Sequence, residues 1–281
     1  MAERRVTILG ASSRLGRPLL RRLQSNGWQV IAAARSPHKQ DVAWQAEARP
    51  FRLEDPASLQ AALADAEAVV SCLEVQHAPQ ILSALPPGHA GRLVMIGSTR
   101  MFTRFPDALA ARLRVGADAF LHSGKPGILL LPTMIYGAED DLNTRRIAAF
   151  IRRFGIIPLP SGGRTLIQPV HVADVCASIE AALLHTEISS ASIVAAGPQA
   201  MRYRDFVRAI GAAIGRRPLV LPLPLSLLLA ALTRLLPFLP SVQRDEILRL
   251  CEDKAFPTEA MRQQLGVVPM PLAEGLRRSF A

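Results

Sequence analysis

The chain of 281 residues reads as an α/β protein, a doubly wound parallel sheet carrying a small, mostly helical C-terminal lobe. Three observations predict this. Short apolar, partly β-branched runs alternate with segments of helical periodicity, the order that builds a parallel sheet with helices on both faces. The first run, Val6 to Leu9, passes through a turn of small residues straight into a helix beginning near Leu15. With 49% hydrophobic residues, the chain has enough apolar surface to bury a sizeable core.

That first turn is Gly10-Ala11-Ser12-Ser13-Arg14-Leu15-Gly16. A strand turning sharply into a helix aims backbone N–H groups and the positive end of the helix dipole at one spot, where a pyrophosphate can sit without a lysine. Glycine is needed where the chain turns and where a Cβ would block the phosphate or the strand. Gly10 and Gly16 hold the outer two places. The middle place falls on Ser13 in a GxxGxxG reading, or on Arg14 in a GxxxGxG reading, so a side chain stands where glycine is expected. Gly10, Ser12, Ser13, Arg14, Leu15 and Gly16 are the candidate contacts to a dinucleotide on this turn.

Gln29 to Ala34 is the second strand, with Arg35-Ser36-Pro37 as its exit. In a dinucleotide fold the residue ending this strand selects the cofactor: a carboxylate holds the ribose 2′-OH of NAD, an arginine accommodates the 2′-phosphate of NADP. No Asp or Glu occurs from Arg4 to Gln40, Ala34 and Arg35 occupy the deciding place with Ser36 just beyond as a further candidate contact, and Arg14 can approach from the first turn. A guanidinium fork binds phosphate bidentately, so NADP is expected in preference to NAD.

Arg49 to Leu53 is a short third strand, and Asp55-Pro56 starts a helix reaching Leu63, with Asp as cap and Pro in the first turn. Ala68 to Leu73 is a buried strand, Gln80 to Leu85 a helix, and Arg92 to Gly97 a strand ending in Ser98-Thr99. Leu109 to His122 is a long helix, and Gly127 to Leu131 a strand whose exit loop is Pro132 to Gly137. Ligands of such a sheet bind beyond the carboxyl ends of its strands. This adds Leu53, Ser71, Cys72, Leu73, Ser98, Pro132 and Thr133 to the candidate cofactor contacts.

Beyond Gly137 the pattern loosens. A basic helix, Asn143 to Phe154, precedes Gly155 to Pro160 and the turn Ser161-Gly162-Gly163-Arg164; Gln168 to Val175 returns to a strand and a helix reaching Leu184. Ser192 to Ala196 is a last strand and Tyr203 to Ile214 a helix. Residues 1–137 and 168–197 are therefore assigned to the sheet domain, and 138–167 and 198–281 to the lobe. Leu219 to Leu239 is the most apolar stretch, but Pro222, Pro224, Pro237 and Arg234 interrupt it. It reads as a greasy helix covering the cleft, not as a membrane span of about 20 residues; a protein or membrane-surface contact is the alternative.

Composition narrows the function classes. The net charge of +10 comes from 30 arginines against 3 lysines, which raises nucleic-acid binding as an idea. The arginines are scattered, however, and only two tyrosines and two tryptophans exist to stack bases, so no nucleic-acid partner is expected. Cys72, Cys176 and Cys251 lie far apart without CxxC spacing, so neither a disulfide framework nor a metal site is expected. The first strand begins close to Met1, and the expectation is no signal peptide and a reducing cytoplasm.

VTILGASSRLG, LEDPASL, VMIGST, LLLPTMIYG, GGRTLIQPVHVADV and YRDFVRAIGAAIGRRP together resemble the extended and atypical short-chain dehydrogenase/reductases, the NAD-dependent epimerase/dehydratase group, almost end to end. The resemblance implies a Rossmann-like fold with a small substrate lobe. It also implies Tyr-x-x-x-Lys on the long helix after Thr99, because a phenol of ordinary pKa about 10 becomes an effective proton donor only when a lysine and the cofactor lower that value. Counting back from Leu131-Pro132-Thr133, the tyrosine should stand at Leu109 or Ala110 and the lysine at Leu113 or Arg114; neither is there. The adenine-facing aspartate of the family falls at Arg52, the arginine of its LRP segment at Leu131, and its nucleotide-sugar arginine near Ile167, with Arg164 three residues away.

Thr99, which aligns with the family's catalytic Ser/Thr, and Tyr136 remain as candidate catalytic groups; His171 and Asp174 read as a strand-end and helix-start pair. Two functions follow most directly. One is an NADP-dependent oxidoreductase transferring hydride to a small or lipid-like carbonyl substrate through another proton relay. The other is a non-catalytic NAD(P)-binding sensor or accessory protein, a role the fold also serves in an accessory subunit of respiratory complex I and in NmrA-like regulators. A nucleotide-sugar epimerase is the third.

Overall fold

Runs such as Val6–Leu9 and Leu93–Ile96 are apolar on both sides of the strand, so they can be satisfied only in a sheet covered on both faces. They lie there in the computed structural model, which describes residues 4–36, 46–187, 190–224 and 252–280. The chain alternates β1 (Arg5–Leu9), α1 (Gly16–Ser25), β2 (Gln29–Ala34), β3 (Glu47–Pro50), α2 (Pro56–Leu63), β4 (Val69–Glu74), α3 (Ala78–Ala84), β5 (Leu93–Ile96), α4 (Ala108–Leu121) and β6 (Gly127–Pro132). Then come β7 (Ile135–Tyr136), α5 (Leu142–Phe154), β8 (Ile156–Pro160), β9 (Leu166–Ile167), β10 (Val170–His171), α6 (Val172–Leu184) and β11 (Ala191–Ala195). The last described elements are β12 (Met201–Arg202), α7 (Tyr203–Ala213), β13 (Leu219–Leu223), α8 (Glu259–Leu265) and α9 (Leu272–Phe280).

Seven parallel strands form the sheet in the order β3-β2-β1-β4-β5-β6-β11. Winding reverses between β1 and β4, which leaves a crevice at the carboxyl end of β1 between two diverging connections. On one face α1, α6 and α8 cover the sheet through Leu19, Leu23, Val175, Ile179, Met261 and Leu265. On the other, α2, α3 and α4 do so through Leu59, Leu63, Ile81, Leu113 and Phe120. The Glu180 carboxylate, largely buried on α6, accepts from Arg22 Nε at 2.7 Å and Asn26 Nδ2 at 2.7 Å, tying the far end of α1 to its neighbour.

A third cluster, Tyr136, Ile151, Phe206, Ile210 and Leu276, is the core of the lobe. Three two-stranded pairs, β7 with β10, β9 with β12 and β8 with β13, join α5, α7 and α9 there.

Three sequence expectations are corrected. The third strand is Glu47–Pro50, not Arg49–Leu53; it pairs with Ile31–Ala34 at the sheet edge, where Pro50 costs no ladder bond because the Phe51 N–H donates to the Ala34 carbonyl at 3.1 Å. Helix α8, assigned to the lobe, packs its Met261 and Leu265 into the sheet-side core. Leu219–Leu223, read as the start of a greasy helix, is a strand in register with β8, while 225–239 lie outside the described residues. Among the described residues no helix is long and apolar enough to cross a membrane.

Helix α4 passes so close to residues 75–76 that a Cβ on Gly116 would lie 2.0 Å from the Val75 carbonyl oxygen. The obstacle is backbone, which cannot swing aside. Gly116→Ala is expected to cost about 1–3 kcal/mol of folding stability, as overpacking does, read from urea unfolding; an unchanged midpoint would contradict this packing.

Candidate functional site

The crevice beyond β1 is shaped by two glycines. Gly10 has φ +79°, a conformation L side chains rarely adopt, and its N–H bonds the Ala33 carbonyl at 2.9 Å as the chain leaves the sheet. A Cβ on Gly16 would lie 2.2 Å from the Gly10 carbonyl oxygen, so α1 can start this close to β1 only without one. Ser13, at the unexpected middle place, folds back: its Oγ accepts the Gly16 N–H at 2.9 Å, and its own N–H bonds the Gly10 carbonyl at 2.9 Å. The hydroxyl thus serves the helix start and leaves the crevice open. Among the described residues the amides of Ser12, Arg14 and Leu15 make no backbone hydrogen bond. Unpaired N–H groups at a helix N-terminus are the donors a pyrophosphate uses, and in this respect the turn fits a dinucleotide.

Arg14 does not turn toward β2. Its Nε lies 3.4 Å from Asp140 Oδ2, and Arg21 pairs with Glu139, so Arg14 and the exposed side of α1 face the loop after β7. Arg35 and Ser36 are exposed at the end of β2, and among the described residues no carboxylate pairs with Arg35. Leu53 heads an apolar groove of about 430 Å³ between α2 and α3, shared with Pro56, Leu59, Pro79 and Ser83. At the end of β4, Leu73 packs over Gly10, and burial pushes the Cys72 thiol well above its ordinary range, which keeps it protonated.

Several expected contacts are committed to the protein itself. Ser71 is buried and donates to the Leu73 carbonyl at 3.4 Å. Thr133 is buried, its N–H on the Ala195 carbonyl at 3.0 Å and its hydroxyl on the Gln168 carbonyl. Both hydroxyls are used by the strand ends they stand on, although Thr133 also lines the cavity beside Thr99. Pro132 is likewise buried, and Ser98 accepts the Arg100 N–H at 3.2 Å, capping the turn of 3₁₀-helix at Thr99–Phe102.

The two candidate catalytic groups part company. The Thr99 hydroxyl donates to the Pro132 carbonyl at 3.3 Å but still reaches a cavity of about 370 Å³. Tyr136 does not reach the cleft. It is 1% exposed, packed edge-on against His171 at 5.2 Å and Phe206 at 6.3 Å, and α9 comes so close that a Cβ on Gly275 would lie 2.1 Å from its hydroxyl. Burial, with Asp174 nearby, pushes this phenol up and away from proton exchange near neutrality. On α4 Ala110 and Leu113 are buried, Leu109 is half-buried, and exposed Arg114 donates to the Met101 carbonyl.

The cavity wall beyond Thr99 is a strap invisible to sequence periodicity, residues 252–256. Glu252 accepts from Thr103 Oγ1 at 2.8 Å and the Arg104 N–H at 2.7 Å, Asp253 accepts the Leu166 N–H at 2.7 Å, and the Phe256 N–H donates to buried Gln168 Oε1 at 2.8 Å. Lys254, Ala255 and Phe256 thereby line the cavity opposite Ser98 and Thr99. The carboxylate pair Glu252-Asp253 was the available signal, since adjacent acids suit backbone N–H groups.

His171 and Asp174 are structural. His171 Nδ1 accepts the Ala173 N–H at 3.2 Å and caps α6, and Asp174 Oδ2 accepts the Met270 N–H at 2.9 Å. Burial, then Arg278, lowers the His171 pKa from its ordinary 6.5; burial raises that of Asp174. A folded-state histidine pKa below the unfolded one means that the unfolded chain binds more protons as pH falls, so stability is lost on descending through about pH 6.5. His89, also lowered by burial, acts in the same sense, and Asp174 opposes them nearer the carboxylate range. Thermal midpoints are expected to fall between pH 7.5 and 5.5, and His171→Asn, which keeps a cap acceptor, to flatten that dependence; an equally steep profile in the variant would exclude His171 as a source.

Comparisons with known proteins agree with this geometry. A family model described as NAD(P)H-binding matches residues 10–120. The chain is 26% identical to the Arabidopsis thaliana protein named NADH dehydrogenase (ubiquinone) 1 alpha subcomplex subunit 9, mitochondrial, over 95% of this chain and 74% of that one. It spans 24% and 39% of the length of two further curated relatives. Among solved structures, a nucleoside-diphosphate-sugar epimerase from Staphylococcus aureus superposes with a TM-score of 0.77 at 13% identity, covering 97% of this chain and 99% of that one. A Thermus thermophilus UDP-glucose 4-epimerase in complex with NAD does so with a TM-score of 0.73 at 16% identity, covering 98% and 97%. At such identities the likeness is one of fold.

Proposed function

We propose that this chain, an NAD(P)-binding Rossmann protein of the epimerase/dehydratase-like short-chain dehydrogenase/reductase superfamily, holds its dinucleotide as an accessory or sensor protein without turning it over, and that it prefers NADP. A bound nicotinamide supplies hydride; what a reductase must add is a proton at the substrate oxygen. The observation that carries the reading is the state of the groups that could deliver one. Apolar Leu109, Ala110 and Leu113 stand at three of the four Tyr and Lys positions, Arg114 does not exchange protons, and Tyr136 is sealed in the lobe. The Arabidopsis relative, named as a subunit of an NADH dehydrogenase, supports a role within an assembly.

The residues assigned to cofactor retention are the amides around Ser12 to Leu15, held by Gly10 and Gly16, and Arg35 for the 2′-phosphate. Leu53 and Leu73 would flank the adenine. A second reading, hydride transfer to a small or lipid-like carbonyl, is favoured by one observation, the cavity of about 370 Å³ that brings Thr99 and Lys254 to one space. Nucleotide-sugar epimerisation, which needs the tyrosine relay, has no such support.

Calorimetric titration and NADPH-oxidation assays across a panel of carbonyl compounds separate these. The expected outcome is tight NADPH binding, weaker NADH binding and no turnover; steady oxidation with any carbonyl would establish the second reading instead. Arg35→Ala is expected to lose about 1.5–3 kcal/mol of NADPH affinity, the worth of a charged hydrogen bond, and to leave NADH unchanged. Equal or tighter NADH binding by the wild-type chain would overturn the NADP preference.

A further inference from the structure

One face of the lobe is not used by the cleft. On α5 the buried side is Thr144, Ala148 and Ile151, and helical spacing sets Arg146, Phe150, Arg153 and Phe154 along the opposite stripe. The rings of Phe150 and Phe154 lie 4.6 Å apart, and the Arg153 guanidinium sits 5.8 Å from the Phe154 ring centroid. Gly155, at φ +68°, ends the helix and turns the chain directly into β8, so exposed Ile156 continues the apolar surface. Beside it β13 runs in register, Leu219 opposite Ile156 and Leu221 opposite Pro158. Phe154 and Leu219 are each 58% exposed, and Phe150, Ile156 and Leu221 are exposed with them. Single exposed apolar residues are ordinary; a contiguous group including two phenylalanines marks a contact surface.

Charge decides the occupant. No Asp or Glu occurs from Leu142 to Ala173 or from Phe206 to Pro224. Arg145, Arg146, Arg152, Arg153, Arg216 and Arg217 are exposed on these segments, and among the described residues none of them pairs with a carboxylate. A second copy of this chain would bring the same uncompensated positive charge to the contact. Among the described residues of these segments, aromatic side chains flanked by arginines match the interfacial zone of an anionic bilayer, where rings enter the acyl boundary and guanidinium groups meet lipid phosphates. We propose that the face formed by α5, β8 and β13 docks on the surface of an anionic phospholipid bilayer, lying on it without crossing. The proposal does not depend on whether the dinucleotide is turned over.

The test is flotation of the full-length protein with vesicles of phosphatidylcholine alone and of phosphatidylcholine mixed with phosphatidylglycerol. Co-flotation is expected with the mixed vesicles and not with the neutral ones, weakening as salt rises. Phe150→Ser with Phe154→Ser, and separately Arg146→Glu with Arg153→Glu, are each expected to reduce partitioning by about tenfold or more, with thermal midpoint and circular dichroism like wild type. These sites are exposed, so the fold persists. Absence of flotation with mixed vesicles, equal flotation with neutral ones, or flotation unchanged in either double variant would overturn the proposal. So would a concentration-dependent dimer abolished by the phenylalanine substitutions, which would assign the face to a second copy.

Discussion

The structure depends on one close approach of backbone to backbone, the start of α1 against the end of β1. The 2.2 Å that would separate a Gly16 Cβ from the Gly10 carbonyl oxygen is less than any real contact, so the helix can begin where it does only because nothing is there. From that approach follow the direction of α1, its burial through Leu19 and Leu23, and the exposure of unpaired amides at its first turn. Ser13 substitutes chemically for the missing middle glycine. A serine hydroxyl can accept a helix-start N–H, so the side chain finds a partner instead of obstructing the crevice.

Much of this was legible in the sequence. Strands apolar on both faces can belong only to a covered parallel sheet, and Gly10 and Gly16 at either end of a small-residue turn have a single geometric use. Asp55 caps its helix as its position suggests. What was not legible depends on contacts between distant segments. Tyr136 looked available because it follows a strand end, yet its neighbours Phe206 and Gly275 come from helices some 70 and 139 residues later. Thr133 and Ser71 stand at strand ends as expected, but whether a hydroxyl faces ligand or carbonyl is fixed by Gln168 and Leu73, and no local pattern records that. The strap at 252–256 has no periodicity, because its order comes from single hydrogen bonds to β9 and to residues 103–104 and 168.

The cleft and the lobe thus show opposite habits. At the turn and strand ends of the crevice, the hydroxyls of Ser13, Ser71 and Thr133 are used internally and backbone amides are left open, which suits a charged ligand of fixed shape. On the outer lobe, aromatic rings and arginines are left open, which suits a surface with no fixed shape. A chain with 30 arginines and 3 lysines can sustain both, since guanidinium groups stack on rings as readily as they meet phosphates.

The Glu180 junction has a mechanical meaning. Helix α1 is fixed at its first residue by the Gly16 approach and at its last turn by Arg22 and Asn26 on one buried carboxylate, so it behaves as a beam clamped at both ends. Donors at the tip of such a beam are aimed before any anion arrives. The entropy of aligning them is spent when the chain folds and need not be spent again when a ligand binds.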